Sequence, residues 1–246
     1  MQFGLLLLLL VSVSSGFSAQ AISLAGQWRF QLDRTDAGVS ERWFERGLPD
    51  KIDLPGSLPA QGVGDAVTTN TSWTGTIVDQ SWFTAPEYAR YRQPGNVKVP
   101  FWLTPQKYYA GAAWYQREIE IPEDRRGKRV VLSLERPHWE TRVWLDSRIL
   151  GTNNSLATPH EYDLGQPVPG RHTVTIRVDN RMIVPIGENS HSISDHTRET
   201  GMVSWAIWSC GLRRLYGLKI CRCIPISRRS RRAFMDASGT RPGAML

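Results

Sequence analysis

Three residues in the middle of the chain have side chains suited to holding a sugar: Arg136, His138 and Trp139. An indole ring offers a flat apolar surface, and guanidinium and imidazole groups form hydrogen bonds with hydroxyls. In the structural alternative, Trp139 belongs to the core and Arg136 pairs with an acid such as Glu135 or Glu140. These three residues are the first candidate carbohydrate contacts.

A second group of candidates lies further along the chain. Asn180 and Arg181 directly follow a strand-like segment, and Asp195 and His196 lie in a short polar run. Amide, carboxylate and imidazole groups all hydrogen-bond to hydroxyls, so Asn180, Asp195 and His196 join the list of candidate carbohydrate contacts. Asp-Asn after a strand is more often turn chemistry, and that role for Asn180 stays open.

Other kinds of chemistry find no support in the pattern of residues. No Ser-His-Asp arrangement, phosphate-binding loop or metal-ligand cluster stands out, so we predict no catalytic residue, no metal and no cofactor. All three cysteines, Cys210, Cys221 and Cys223, lie after residue 200. No disulfide framework is therefore predicted for the rest of the chain.

Short strands must position the candidates. Apolar and polar residues alternate in 24–32, 114–121, 130–134, 143–145 and 172–179. This period of two predicts strands with one buried face, which in the second segment carries Trp114, Ile119 and Ile121. Three of the strands follow one another across short breaks, which indicates an antiparallel sheet. Many short strands and little helix predict an all-β fold, a β-sandwich or jelly roll.

The charge of the chain is unevenly distributed. Its 246 residues, 41% of them hydrophobic, suffice for one domain with a sizeable core. The net charge is +7, but nine Lys or Arg and one acid give 201–246 a charge of +8, which leaves −1 for 1–200. A basic tail could bind nucleic acid or another anionic partner. An exported chain has little access to nucleic acid, so nucleic acid is not expected as a partner.

Residues 1–21 have the pattern of a signal peptide. Leu5 to Leu10 form an apolar run, and Ala19-Gln20-Ala21 is a small-x-small cleavage site. The run is too short to span a bilayer well, which disfavours an uncleaved anchor. We therefore expect an exported protein of the periplasm or the extracellular space, with no membrane contact after cleavage.

The stretch 61–111 is long, weakly periodic and rich in aromatic residues. Loops of this length are uncommon in compact domains and are usually functional. Its aromatic side chains could form a stacking platform for sugars or could pack against further domains, and we favour packing. The aromatic residues concerned are Trp73, Trp82, Tyr88, Tyr91, Phe101, Trp102, Tyr108 and Tyr109.

Eight short motifs, in order over residues 24–198, together resemble the N-terminal sugar-binding domain of glycoside hydrolase family 2. That family contains β-galactosidases, β-glucuronidases and β-mannosidases. The motifs are Leu24-x-Gly26-x-Trp28-x-Phe30, Leu54-Pro55-Gly56-Ser57, Ala113-Trp114-Tyr115-Gln116-Arg117, Glu135-Arg136-Pro137-His138-Trp139-Glu140-Thr141, Ser155-Leu156-x-x-Pro159-His160-x-Tyr162-Asp163-Leu164, Pro169-Gly170-x-His172, Asp179-Asn180-Arg181 and Ser194-Asp195-His196-Thr197.

The resemblance implies a jelly-roll, galactose-binding-like domain that precedes an immunoglobulin-like sandwich and a catalytic barrel. It also implies that Asp195 reaches a sugar hydroxyl, as in some family members. Family enzymes retain configuration by means of two carboxylates about 5 Å apart. The family's acid/base glutamate follows an asparagine, and this chain contains no Asn-Glu dipeptide. The resemblance therefore implies a polypeptide that is inactive by itself.

The tail departs from the family pattern at Glu199-Thr200-Gly201-Met202. The family has an Asn-Trp-Asn-Gly-type motif here and then a closing strand. Codons permitted for Glu-Thr-Gly-Met-Val (GAA ACT GGA ATG GTN) spell that motif in a shifted frame (AAC TGG AAT GGT). We therefore expect a frameshift near residues 198–200, which would also explain the enrichment of Arg and Cys.

These observations predict three regions: a signal peptide at 1–21, a family-2-type sugar-binding β-sandwich at 22–199 that lacks its C-terminal strand, and a basic, out-of-frame and disordered tail at 200–246. The function expected is that of a non-catalytic fragment of an exported β-glycosidase. Its partners would be a β-glycoside or polysaccharide side chain and the missing sandwich and barrel domains. The alternatives are a free-standing carbohydrate-binding module and a basic-tailed binder of anionic partners.

Overall fold

The computed structural model describes residues 22–135, 137–156 and 158–187, together with the backbone of 203–204 and 209–212. The chain divides into two units, Met1–Arg214 and Leu215–Leu246, and every described residue belongs to the first. The predicted signal peptide and most of the predicted tail lie outside the described residues. No helix among the described residues has the length and apolar character needed to cross a membrane.

Strands account for most of the regular structure. They are β1 (Gly26–Asp33), β2 (Asp50–Leu54), β3 (Gly56–Ser57), β4 (Asp65–Ala66), β5 (Lys107–Tyr108), β6 (Ala112–Ile121), β7 (Val130–Leu134), β8 (Glu140–Leu145), β9 (Arg148–Asn153), β10 (His160–Gly165), β11 (Gly170–Asp179), β12 (Val203–Ser204) and β13 (Ser209–Leu212). Helix α1 (Ser81–Thr84) is one turn long, and 3-10 helices cover Trp43–Glu45, Pro59–Gln61, Pro86–Tyr91 and Glu123–Arg125.

Two antiparallel sheets form a sandwich, which confirms the all-β prediction. The larger sheet has the order β2-β1-β6-β11-β8-β9, and the smaller has the order β10-β7-β13. Although the strands β6, β7 and β8 follow one another in the sequence, they are not neighbours in one sheet. Strand β11 separates β6 from β8, and β7 belongs to the opposite sheet. Some strands that are hydrogen-bonded neighbours in a sheet are thus distant from each other in the sequence.

The core lies between the two sheets and is filled by the alternate residues predicted from the sequence. Trp28 and Phe30 of β1 pack with the inward residues of β7, β8 and β11. These include Val130, Leu132 and Leu134, then Val143 and Leu145, then Val174, Ile176 and Val178. Each of these side chains is at most 5% exposed. A period of two in the sequence therefore corresponds to one buried face of each strand.

Strand β6 differs from the prediction at Trp114. Tyr115, Ile119 and Ile121 face the core, whereas Trp114 lies on the opposite face of the sheet. There it packs with Trp43 and Trp144 beneath the connection between β1 and β2. Positions 114 and 119 differ by an odd number, so a regular strand directs them to opposite faces. The first half of β6 is buried on both faces.

The long connection between β3 and β6 builds a hydrophobic cluster of its own. Trp82 and Trp102 are buried with Ile77 and Val99, and Trp73 packs edge-on against Trp102. The indole nitrogen of Trp82 donates a hydrogen bond to the carbonyl of Lys98 at 2.7 Å. Several of the aromatics predicted to pack against further domains instead pack against one another, while Phe101 remains 42% exposed.

Two short segments of the region 200–246 pair with the sandwich. Ser209–Leu212 runs antiparallel to Val130–Ser133 of β7, and Val203–Ser204 pairs with β3. Strand β13 thus occupies the edge of the smaller sheet beside β7. The rest of 200–246, including Cys221 and Cys223, lies outside the described residues.

Candidate functional site

A cavity of about 400 Å³ opens at the end of the larger sheet where β1 and β11 finish. We call it the strand-end cleft. Its walls come from the residues after β1, from segment 65–72 and from segment 108–111, and Arg181 closes one side. The polar and aromatic groups used below are Arg34, Asp36, Asp65, Asn70, Tyr109 and Arg181.

The register of the sheet explains why acids collect at this end. Asp33 of β1 and Asp179 of β11 both pair with Ala112 of β6, so all three residues form one row across the sheet. Both carboxylates are almost fully buried, at 3% and 4% exposure. A buried carboxylate must find donors in the protein.

Asp33 finds its donors in backbone and indole N–H groups. The backbone nitrogens of Ala37 and Gly38 donate to it at 2.8 and 3.0 Å, and the indole of Trp114 donates at 2.9 Å. These bonds attach the chain after β1 to the outer face of β6. The wall of the strand-end cleft is thereby fixed by one carboxylate.

Asp179 finds its donors in two arginines. Arg177 donates to Asp179 at 2.8 Å and to Asp36 at 2.6 Å. Arg181 donates from its Nε to Asp179 at 2.9 Å, pairs with the same carboxylate through Nη2, and reaches Asp36 at 2.7 Å. Glu140 adds a longer contact to Arg177, at 3.7 Å. These five residues form a network in which every charge has an opposite partner.

The arginines determine the protonation state of these acids. Burial would raise the pKa of Asp179, but hydrogen bonds from Arg181 and the charges of both arginines outweigh it and leave the pKa below its usual value. The pKa of Asp36 is lowered in the same way, against the effect of its own burial. The pKa of Arg181 is raised, mainly by its hydrogen bond to Asp179. All three groups are ionised at neutral pH.

A second ion pair closes the opposite side of the cleft. Arg34 forms two parallel hydrogen bonds with Asp65, at 2.8 and 2.9 Å, and its guanidinium lies 5.4 Å from the ring centre of Tyr109. The pKa of Asp65 is lowered, chiefly by the hydrogen bond from Arg34. Burial raises the pKa of Tyr109 to about 12, and its hydroxyl donates to the carbonyl of Ala112 at 2.7 Å.

Asn180 holds the wall that contains Tyr109. Its side-chain oxygen accepts from the backbone nitrogen of Gly111 at 2.8 Å, and its amide donates to the carbonyl of Tyr109 at 2.7 Å. Asn180 is 1% exposed. Asn180, a candidate carbohydrate contact, therefore positions the segment 109–111. This role goes beyond the turn that the Asp179-Asn180 pair suggested.

Trp139 and His138 lie at the same end of the sandwich. Trp139 is 2% exposed, its backbone nitrogen donates to the backbone carbonyl of Asp179 at 3.0 Å, and its indole donates to the carbonyl of Asn154 at 2.7 Å. This burial matches the structural alternative, because little of the indole is left for a ligand. His138 is half-buried beside Trp139, with ring centres 6.1 Å apart. Arg136, Asp195 and His196 lie outside the described residues.

A buried network below these loops consists of four residues from the resembling motifs. His160 Nε2 donates to the carbonyl of Ser155 at 2.7 Å, which leaves Nδ1 to accept from the Thr141 hydroxyl at 2.5 Å. The Tyr162 hydroxyl is 2.6 Å from the same Thr141 oxygen. Burial lowers the pKa of His160, which is therefore neutral at neutral pH. The network ties β8 to β10 across the core.

Sequence reasoning missed most of the strand-end cleft. Arg34 and Asp36 are distant from Asp65 and from Arg181 in the sequence, and Arg34, Asp36 and Asp65 lie outside the resembling motifs. One signal was present: Asp33 and Asp179 each end an alternating strand, and acids at strand ends that meet on one edge need cationic partners. The pairing itself depends on the order of strands, which the alternation does not specify.

The chemistry of the cleft favours binding over bond cleavage. A retaining glycosidase needs one carboxyl group that stays protonated near neutral pH as the general acid. Asp36, Asp65 and Asp179 have lowered pKa values and so do not meet that need. Within the described residues, no three His, Cys, Asp or Glu side chains are grouped to hold a metal ion.

No protein-family model matches the chain. Solved β-glucuronidases are similar to it at low sequence identity. The apo enzyme from Ruminococcus gnavus is 17% identical, with a TM-score of 0.49, over 78% of this chain and 29% of that one. Its complex with uronic isofagomine is 17% identical, with a TM-score of 0.48, over 78% of this chain and 28% of that one. Lactobacillus rhamnosus β-glucuronidase is 16% identical, with a TM-score of 0.43, over 65% of this chain and 21% of that one. The chain spans less than a third of these proteins, and similarity at this level does not assign it their activity.

Proposed function

We propose that this chain is the N-terminal, non-catalytic carbohydrate-binding part of an exported β-glycosidase of the family 2 type. The strand-end cleft would contact a neutral sugar, together with the segment that carries Asp195 and His196. The proposal includes a cleaved signal peptide at 1–21 and a shifted reading frame after residue 198 or so. The intact protein would add a sandwich and a catalytic barrel.

One observation carries the assignment of the site: each arginine that lines the strand-end cleft is paired with an aspartate. Sugars are neutral and offer both donors and acceptors, so a site for them needs fixed polar groups and not unpaired cations. Paired carboxylates keep free lone pairs for hydroxyl donors. A volume of about 400 Å³ falls within the range of small-molecule sites.

The positions of the resembling motifs support the family assignment. Several of them fall on β1, β6, β10 and β11, and their residues perform tasks that a sandwich of this kind needs. Trp28 fills the core, His160 and Tyr162 tie two sheets together, and Asn180 holds the cleft wall. The chain continues from Arg181 toward Asp195 and His196, which places these two candidates after the cleft in the sequence.

The test is a titration of the full 246-residue chain with a panel of neutral β-linked oligosaccharides. We expect one of them to bind. We expect Asn70→Ala to abolish that binding, because Asn70 is exposed and lines the cleft. Gln93→Ala, at an exposed site outside the cleft, is the matched control. We also expect no hydrolysis of aryl β-glycosides. Absence of binding across the panel, or equal loss in both variants, would overturn the assignment of the cleft.

The reading-frame part of the proposal has its own test, which is to sequence the gene across the codons for residues 195–205 and beyond. The expected result is one inserted or missing base. Correcting it would open a frame into Asn-Trp-Asn-Gly and a downstream barrel with an Asn-Glu motif. A confirmed frame with no barrel downstream would remove the enzyme from the proposal and leave the sugar-binding domain.

A free-standing carbohydrate-binding module is the second candidate, and one observation favours it. Strand β13 pairs with β7 and so supplies an edge strand to the smaller sheet. An exposed β7 would invite aggregation, and this pairing covers it. If the full chain is secreted as a soluble monomer that binds sugar, this candidate is favoured. If it is recovered only as aggregate, the fragment needs its missing domains.

A further inference from the structure

A second cavity, of about 950 Å³, lies on the face of the larger sheet that is turned away from the core. We call it the outer groove. Its floor is a row in which Lys51, Arg29 and Gln116 are register partners across β2, β1 and β6. These residues alternate with core residues such as Trp28 and Ile52, so they point away from the smaller sheet.

Four cationic residues border the outer groove: Arg29, Arg46, Lys51 and Arg117. The side chain of Arg117 lies on the opposite face of β6, over the ring of Trp28, so the groove face itself carries Arg29, Arg46 and Lys51. Within the described part of the chain, none of the four forms an ion pair with a carboxylate. Lone exposed cations are ordinary on protein surfaces. Three exposed cations, Arg29, Arg46 and Lys51, around one concave surface create a local positive potential.

The acids of the same surface do not cancel that potential. Two of the three that line the groove are already engaged by other groups. Glu45 forms an ion pair with Arg42, and Asp146 accepts from His172 and from the backbone nitrogen of Thr173, both at 2.8 Å. Glu118 is the remaining acid. The groove therefore carries an excess of positive charge.

One of these three cations is held in place by neutral groups, which fixes its position without reducing its charge. Arg46 donates to the side-chain oxygen of Gln31 at 2.9 Å and lies 4.7 Å from the ring centre of Trp43. Cations that are already ordered lose less conformational entropy when a ligand arrives.

We propose that the outer groove binds an anionic oligosaccharide, one whose sugar units carry carboxylate or sulfate groups. The charges of Arg29 and Lys51 would meet the anionic groups. Gln27, Ser147 and Thr173, which also line the groove, supply amide and hydroxyl partners for the sugar hydroxyls between them. An acidic peptide offers carboxylates but few hydroxyls, so it matches this lining less well. This inference is independent of the strand-end cleft and of the neutral sugar proposed there.

The experiment measures binding of the full chain to four probes: a sulfated heparin oligosaccharide, an oligogalacturonate, a neutral cello-oligosaccharide and poly-glutamate. The Arg29→Gln/Lys51→Gln double variant removes two charges from the groove. The Lys98→Gln/Lys128→Gln double variant removes two charges from exposed sites outside both cavities. Both variants keep the basic region 201–246, so any binding by that region is common to both. Thermal unfolding checks that each variant is folded.

We expect at least one anionic oligosaccharide to bind, with an affinity that falls as salt rises. The groove variant should lose about tenfold in affinity, the change that corresponds to about 1.4 kcal/mol, while the control variant changes by less than about twofold. Equal losses in the two variants, or no loss in either, would assign the binding to net charge or to the tail and overturn the proposal. Equal or tighter binding of poly-glutamate or of the neutral probe would overturn the ligand class.

Discussion

The two polar cavities of this domain use their charges in opposite ways. In the strand-end cleft, Arg34 and Arg181 are each bonded to aspartates, so the side chains neutralise one another. In the outer groove, Arg29 and Lys51 form no ion pair within the described residues, and they stand side by side on neighbouring strands. Both cavities lie against the same sheet, and each contains several charged residues.

The difference separates structural charge from charge that is available to a ligand. A buried ion pair loses its hydration and regains that energy only from its partners, so removing one partner is costly. An exposed cation keeps its hydration and gains little from the fold. The cleft should therefore matter for stability and for neutral ligands. The groove should matter for anionic ligands and little for stability.

The largest expected effect is on stability, from removing a buried arginine of the ion-pair network behind the cleft, compared with an exposed arginine of the groove. Arg177→Met should destabilise the protein by about 3 kcal/mol, because Asp179 would keep a buried charge with one partner fewer. Arg29→Met should change the free energy of unfolding by less than about 0.5 kcal/mol, because Arg29 is exposed and unpaired within the described residues. Urea denaturation of both variants measures the difference. Similar values for the two would remove the distinction between the cavities.

Two glycines in the connection after β1 provide a second contrast. A methyl group at Gly38 would lie 2.7 Å from the Asp33 carboxylate and closer still to the Trp114 indole, and both groups are buried. Gly38→Ala should cost about 2 kcal/mol through overpacking. At Gly47 the nearest atom is the end of the flexible Arg29 side chain, at 2.8 Å. Gly47→Ala should therefore leave the unfolding midpoint nearly unchanged, and a loss equal to that of Gly38→Ala would contradict the packing described.

A smaller effect should appear in the pH dependence of stability. The folded pKa of Asp36 lies below its ordinary value of 3.8. Its stabilising contribution is therefore fully present above that value and is lost as the pH falls through the lowered pKa. Asp36→Asn should lower the unfolding temperature at pH 7 by about 2 °C. Asparagine also tolerates the positive φ of 58° at this position.

The difference between wild type and Asp36→Asn should shrink toward zero in acid, because both side chains are then neutral. Other groups that titrate, such as His160 with its lowered pKa, are common to both proteins and cancel in the difference. Calorimetric scans at several pH values measure it. A difference that stays constant down to strongly acidic pH would mean that the charge of Asp36 does not contribute.

The sequence predicts the strands well because alternation is a local property. The inward faces of β1, β7, β8 and β11 follow directly from it. Trp114 was assigned to the wrong face because the connection after β1 covers part of the outer face, and burial on both sides obscures a period of two. Strand β7 was not predicted to leave the sheet of β6 and β8, since pairing partners are chosen by the whole fold.

The candidate sites were harder to predict because a site joins residues that are distant in the sequence. Asn180 was found, but its hydrogen bonds to segment 109–111 give it a positioning task that turn chemistry did not foresee. The ion pairs of Asp36 with Arg177 and Arg181 depend on how β1 and β11 flank β6. Neither cavity is encoded by a contiguous motif, so neither could be derived before the order of strands was known.

The most direct test combines both ligands with both cavities. A neutral oligosaccharide that binds and an anionic one are each titrated, by calorimetry, into wild type, Asn70→Ala and Arg29→Gln/Lys51→Gln. The account predicts that Asn70→Ala weakens only the neutral ligand and that the double variant weakens only the anionic ligand. It also predicts that salt weakens only the anionic ligand. If either variant weakens both ligands equally while remaining folded, the two cavities are not separate sites, and the division of charge between them does not explain binding.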